Sequence, residues 1–207
     1  MFTGIVQGKG TLVIIKDSLN FRTYTVQFPH QLLTGLATGD SVANNGCCLT
    51  VTHINGDQVS FDIMHETLRL TNLGGLKPGN MINLERSAKY GDEIGGHVMS
   101  GHIITTAEIS KIFKTTNNLQ IGFYLYKKQL MKYILYKGFI GVDGISLTIG
   151  NIIKDQVFVH LIPETMFRTT IGEKQLGDKV NIEIDASTQA VIDTVERMIA
   201  SKYNKLC

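Results

Sequence analysis

The chain has only three cysteines in 207 residues, two of them adjacent and one at the C-terminus. That is too few for a disulfide framework or a four-thiolate zinc site, and a reducing, cytoplasmic setting fits best. Charge of one sign is also scarce. The net charge is +2, with no basic run and no interleaving of aromatic and basic residues, which argues against a nucleic-acid partner. No apolar run approaches the roughly 20 residues a membrane span requires. Met1-Phe2-Thr3-Gly4-Ile5 lacks the basic-then-apolar pattern of an export signal. Gly91 to Gly101 is rich in glycine but contains no Gly-Lys-Ser/Thr, so it is a linker rather than a phosphate loop. Ser146 has no Gly-x-Ser-x-Gly elbow around it, which argues against a serine hydrolase. His97 and His102 stand five apart, the wrong spacing for two metal ligands on one helix face, and no metal is expected.

What the chain does have is a duplication at an offset of 98 residues. Asn45-Gly46-Cys47-Cys48-Leu49-Thr50-Val51 returns as Asp143-Gly144-Ile145-Ser146-Leu147-Thr148-Ile149. Glu66-Thr67 returns as Glu164-Thr165, and Gly79 with Asn83-Leu84-Glu85 returns as Gly177 with Asn181-Ile182-Glu183. The shared offset implies no net insertion between the copies. Two similar modules imply two similar pockets, suited to two molecules of one ligand or to one ligand with two-fold character.

Each copy, about 100 residues, is large enough for its own core. Gly10–Ile15, Arg22–Phe28, Ser41–Thr52, Gln58–Ile63 and Asn80–Leu84 read as short strands rich in β-branched residues. Asn55-Gly56 is the strongest hairpin signal. Short helical stretches fit near Pro29–Leu36 and Glu66–Leu73. Several antiparallel strands per copy predict a small closed barrel. The expected division is a barrel over 1–97, a second over 98–186 and a helix over 187–207. That helix carries Val191, Ile192, Val195, Met198 and Ile199 at helical spacing, with Asp185, Ser187 or Thr188 as its cap. A helix added to two complete barrels needs an apolar partner, and self-association is the favoured one.

Where the copies differ, their pockets take different roles. Aligned at the common offset, Met1 answers Met99 and the differences are Phe2/Ser100, Gly4/His102, Gly39/Lys137, Ser41/Phe139, Cys48/Ser146 and Ser87/Asp185. The second copy thus holds a histidine, a serine, a lysine and an aspartate where the first holds smaller groups. That asymmetry suits acid/base work on one of two like ligands. The plain alternatives are a structural histidine at a strand start, a small buried cysteine and an aspartate that only caps a helix.

The motifs Met1-Phe2-Thr3-Gly4-Ile5-Val6-Gln7-Gly8, Asn45–Thr52, Gly95–His102, Tyr136–Thr148 and Pro163-Glu164-Thr165 resemble the riboflavin synthases, over residues 1 to about 197. The resemblance implies an all-β chain of two pseudo-symmetric six-stranded Greek-key barrels. It also implies a homotrimer joined through C-terminal helices, with the substrate pair between the first barrel of one subunit and the second barrel of a neighbour. Association with lumazine synthase stays open. The implied reaction converts two molecules of 6,7-dimethyl-8-ribityllumazine to riboflavin and 5-amino-6-(D-ribitylamino)uracil without a cofactor.

By the same resemblance, one ring is gripped by Gly4-Ile5-Val6, Cys48-Leu49-Thr50 and Asp62-Ile63-Met64-His65-Glu66-Thr67. The other is gripped by Gly101-His102-Ile103, Ser146-Leu147-Thr148 and Ile162-Pro163-Glu164-Thr165-Met166-Phe167, with Lys137 nearby. His102 is the expected proton carrier, Ser146 or Cys48 the source of a transient nucleophile, and Asp185 an orienting group. Phe167 departs from the polar residue many relatives carry there. The alternative is a lumazine- or flavin-binding antenna protein without turnover. A flavin reductase would need a nucleotide-binding turn that the chain lacks.

Overall fold

The computed structural model describes residues 1–114 and 118–203, and the C-terminal Cys207 lies outside them. The first six strands are β1 (Gly8–Asp17), β2 (Phe21–Gln27), β3 (Ser41–Asn44), β4 (Cys47–Asn55), β5 (Gln58–Met64) and β6 (Met81–Arg86). They close into an antiparallel barrel in the order β1-β2-β5-β4-β3-β6. The next six, β7 (Thr105–Lys114), β8 (Leu119–Tyr124), β9 (Phe139–Val142), β10 (Ile145–Ile153), β11 (Gln156–Leu161) and β12 (Lys179–Ile184), close in the same cyclic order. Helix α1 (His65–Leu70) follows β5, α2 (Pro163–Arg168) follows β11, and α3 (Ala186–Tyr203) ends the described chain.

Two turns sit differently from expectation. The segment read as one strand from Ser41 to Thr52 is broken at Asn45-Gly46, whose φ angles of 45° and 79° fit a tight two-residue hairpin turn. Asp143-Gly144 repeats it at 45° and 80°. The hairpin read at Asn55-Gly56 lies one residue later: Asn55 is still paired with Gln58, and Gly56-Asp57 form the tip.

Alternation along each strand fills the barrels. In β4, Cys47, Leu49 and Val51 point inward, while Cys48 and Thr50 point out. The first interior packs Leu12, Tyr24, Val26, Val42, Val59, Phe61 and Leu84; the second packs Ile109, Ile121, Phe123, Val157 and Val180. Each such side chain contributes roughly 1.5–3 kcal/mol by burial. These interiors are cores, so a ligand has to sit on an outer wall.

The alignment of the copies needs one correction. From β3 onward the offset is 98, but β1 and β7 start at Gly8 and Thr105, an offset of 97. The second copy has one more residue after β8, since Arg22 and Gln27 of β2 answer Leu119 and Tyr124 of β8 at an offset of 97 whereas Ser41 answers Phe139 at 98. Thus Phe2 answers Met99, and the two form an antiparallel bridge with each other. Gly4 answers Gly101, and His102 answers Ile5 rather than Gly4.

The segments ahead of β1 and β7 cross over. Val6 is buried in the core of the second barrel, and Ile103 packs on the core of the first. A reciprocal polar network joins the barrels beneath this crossing. Asn83 donates from Nδ2 to the Asp143 carbonyl at 3.0 Å, and Asn181 donates to the Asn45 carbonyl at 2.9 Å. Helix α3 starts at Asp185, whose carboxylate accepts bonds from the Thr188 N–H at 2.8 Å and its hydroxyl at 2.7 Å. Ile192 packs on the second barrel, while Val191, Val195, Met198 and Ile199 stay exposed.

Candidate functional site

Outward-facing Cys48 opens into a cavity of about 180 Å³ lined by Cys47, Cys48, Thr67, Leu70, Thr71, Gly101, His102 and Ile103. Strand β4 supplies the cysteines, α1 supplies Thr67, and the wall closes with a segment belonging to the other barrel. The Cys48 N–H donates to the Gly101 carbonyl at 2.9 Å. Glycine is required at 101 on two grounds. Its φ is +80°, and a Cβ there would lie 2.6 Å from the Cys48 Cβ.

The equivalent place on the second barrel follows the same plan with other side chains. The Ser146 N–H donates to the Gly4 carbonyl at 2.8 Å, and a Cβ on Gly4 (φ +76°) would meet the Ser146 Cβ at 2.5 Å. Where the first pocket has Cys48 and His102, the second has Ser146 and Ile5. Its imidazole comes from the linker. His97 Nδ1 lies 2.7 Å from Ser146 Oγ, and the ring stacks on Phe139 at 4.9 Å between centroids.

Gly101-His102-Ile103 stands with Cys48 and Thr67, and Gly4-Ile5-Val6 stands with Ser146, because the leading segments swap barrels. Ser146 is partnered by His97, not by His102. Sequence reading weighed His97 only as a poor metal ligand.

Burial lowers the His97 pKa below its ordinary value, with the nearby Asp185 charge pulling the other way, so the ring is neutral at neutral pH. Its Nε2 is buried without a hydrogen-bond partner among the described residues. Partial burial raises Asp185, but the bonds from Thr188 and the attraction of His97 outweigh it and hold the carboxyl below the usual range. Cys47 points into the barrel core and is pushed up to about 12 by burial, then by the neighbouring Cys48 and Glu183. His102 is exposed, and its N–H donates to Ser100 Oγ at 3.1 Å.

The remaining candidates line the rims. Leu49, Ile63 and Leu147 are buried in the barrel cores, while Thr50 and Thr148 are exposed on the outer faces. Asp62 accepts a bond from the Thr23 hydroxyl at 2.7 Å. Met64, His65 and Glu66 are exposed where α1 begins, with Glu66 held by Arg69 at 2.6 Å. Ile162, Pro163, Glu164 and Phe167 are exposed on α2 and its entry, Glu164 is paired with Arg168, and Thr165 and Met166 are half-buried. Lys137 is exposed with φ +64°, where the first copy has Gly39 at +96°. Its ammonium lies 5.4 Å from the Tyr136 ring centre.

Comparison with known proteins agrees with this geometry. A lumazine binding domain family matches residues 3–87 and again 100–185. Riboflavin synthase of Escherichia coli (strain K12) is 63% identical over 206 residues, covering 100% of this chain and 97% of the relative. That of Bacillus subtilis (strain 168) is 40% identical over 185 residues, covering 89% and 85%. Among solved structures, LumP complexed with riboflavin superposes at a TM-score of 0.84 with 31% identity, over 89% of this chain and all of that one. LumP with 6,7-dimethyl-8-(1'-D-ribityl) lumazine gives a TM-score of 0.81, again at 31% identity, over 89% and 99%. With two lumazine-binding repeats, leading segments crossed between the barrels and full-length relatives of one activity, the chain belongs to the riboflavin synthase family.

Proposed function

We propose that each pocket holds one 6,7-dimethyl-8-ribityllumazine and that the chain transfers a four-carbon unit between the pair, as a transferase. The products are riboflavin and 5-amino-6-(D-ribitylamino)uracil. The observation that carries this reading is the pairing of two pseudo-equivalent pockets with unlike polar groups, Cys48 with His102 and Ser146 with His97. Like sites suit like molecules, and unlike groups suit a donor and an acceptor. Holding both rings in place replaces a bimolecular encounter with a near-unimolecular step.

In the proposed mechanism, one lumazine loses a proton from its 7-methyl group, whose carbanion delocalises into the ring. The other is activated by addition of a nucleophile at C7. Neutral His97, bonded to Ser146, suits proton removal from the serine or from a water it holds. His102 and Cys48 serve the other ring, and Asp185 tunes His97 through its charge. Lys137 keeps a left-handed backbone that its glycine counterpart adopts without strain, which supports a role for its ammonium at the second pocket. The residue spans 4–6, 48–50, 62–67, 101–103, 146–148 and 162–167 supply the ring and ribityl contacts.

The division 1–97, 98–186 and 187–207 describes this reading, with the leading segments exchanged between the barrels. The pockets open outward, so a second copy can cover them. The exposed apolar residues of α3 supply a surface for the proposed homotrimer. A cytoplasmic location fits a biosynthetic step, and docking to lumazine synthase is compatible with it. Purified protein incubated with lumazine alone should release one riboflavin for every two lumazines consumed, with no cofactor added. Binding without any riboflavin would instead establish an antenna protein.

A further inference from the structure

Two carboxylates outside the pockets repeat the crossing in a form the mechanism does not use. Glu85 on β6 and Glu183 on β12 are 3% and 4% exposed. Glu85 Oε1 accepts the Thr3 N–H at 2.6 Å and the Thr3 hydroxyl at 2.8 Å, and its Oε2 accepts the Gly4 N–H at 3.1 Å. Glu183 Oε1 accepts the Ser100 N–H at 2.6 Å and its hydroxyl at 2.8 Å, and its Oε2 accepts the Gly101 N–H at 3.1 Å. A buried charge is tolerated only when its lone pairs are filled, and here each is filled by the same three donors.

The hydroxyls carry the contact one step further. Thr3 Oγ1 accepts the Ile5 N–H at 3.3 Å, and Ser100 Oγ accepts the His102 N–H at 3.1 Å. Each gripped segment then closes the pocket of the opposite half: the Gly4 carbonyl receives Ser146, and the Gly101 carbonyl receives Cys48. An uninterrupted chain of hydrogen bonds thus runs from Glu183 in the second barrel to Cys48 in the first, and from Glu85 in the first to Ser146 in the second. Burial raises the pKa of both carboxyls, and the bonds from the segments pull it back down.

We infer that Glu85 and Glu183 are crossed positioning residues, each fixing the wall of the pocket on the barrel to which it does not belong. The inference rests on reading these cavities as lumazine pockets, but its first test does not depend on a ligand. A glutamine keeps the shape yet turns an amide N–H toward a backbone N–H, so the segment should loosen. In Glu183→Gln, iodoacetamide should modify Cys48 about tenfold faster than in the unmodified chain, as located by peptide mass spectrometry, because a charged hydrogen-bond partner is lost. Glu85→Gln should leave that rate within about twofold while losing the lumazine site beside Ser146. A merely structural role would accelerate Cys48 equally in both variants of matched Tm.

Should either glutamine variant fail to fold, Ser100→Ala and Thr3→Val make the same comparison with a single hydroxyl removed. Equal rates in both variants of a pair, or a faster Cys48 in the Glu85 or Thr3 member, would overturn the inference. If the unmodified chain binds no lumazine while the alkylation pattern holds, the proposed function fails and the crossed positioning stands.

Discussion

The two candidate sites share one plan and differ in their side chains. Both use a left-handed glycine pressed against the first outward residue after a tight turn, and both are tied by a bond from that residue's N–H to the glycine carbonyl. In the first, a thiol and an exposed imidazole face a small cavity. In the second, a hydroxyl is bonded to a buried imidazole from the linker. Duplication therefore preserved the backbone grip, where geometry is demanding, and left the side chains free to diverge. The difference teaches that the asymmetry of the two sites resides in their side chains and in one linker, on a nearly symmetric frame.

The largest effects should come from destroying one grip at a time. Gly101→Ala and Gly4→Ala each add a Cβ into a 2.5–2.6 Å contact at positive φ. Each should cost on the order of 2–4 kcal/mol in urea unfolding and abolish riboflavin formation. Equal binding of two lumazines by both variants would break the comparison.

A smaller effect sharpens it. His97→Phe keeps a ring on Phe139 but drops the bond to Ser146, so kcat should fall about 100-fold. Because burial lowers the His97 pKa, the acid limb of the unmodified kcat profile should lie below the ordinary imidazole value of about 6.5 and vanish in the variant. An unchanged limb would return the role to His102.

Next comes the frame itself. Asp143 stands where the first copy has Asn45, and burial raises its pKa from 3.8 to about 6 despite the pull of Lys174. Over that range the folded form holds its proton more tightly than the unfolded one, so stability should fall as pH rises between these values. Asp143→Asn keeps an oxygen for the Asn181 N–H and should flatten the dependence, as followed by Tm at several pH values. A slope that persists would place the titrating group elsewhere. The smallest change is expected from Asp185→Ala, which removes the cap of α3 and should cost about 1 kcal/mol of stability.

Much of this was legible in the sequence. The 98-residue duplication, the short strands rich in β-branched residues and the terminal apolar spacing pointed to two barrels and a helix, since those signals are local. The crossing was not legible. Val6 and Ile103 look like any apolar residue before a strand, and only tertiary packing decides which barrel buries them. One extra residue between β8 and β9 makes the offset 97 ahead of it, so His102 answers Ile5 rather than Gly4. His97 was missed because a partner 49 positions away leaves no periodic mark.

The most direct test of the central claim is to count lumazine molecules bound per chain by equilibrium dialysis, for the unmodified protein and for Gly4→Ala and Gly101→Ala. Two crossed pockets predict two per chain, falling to one in each variant. A single site in the unmodified chain, or two in both variants, would contradict the account.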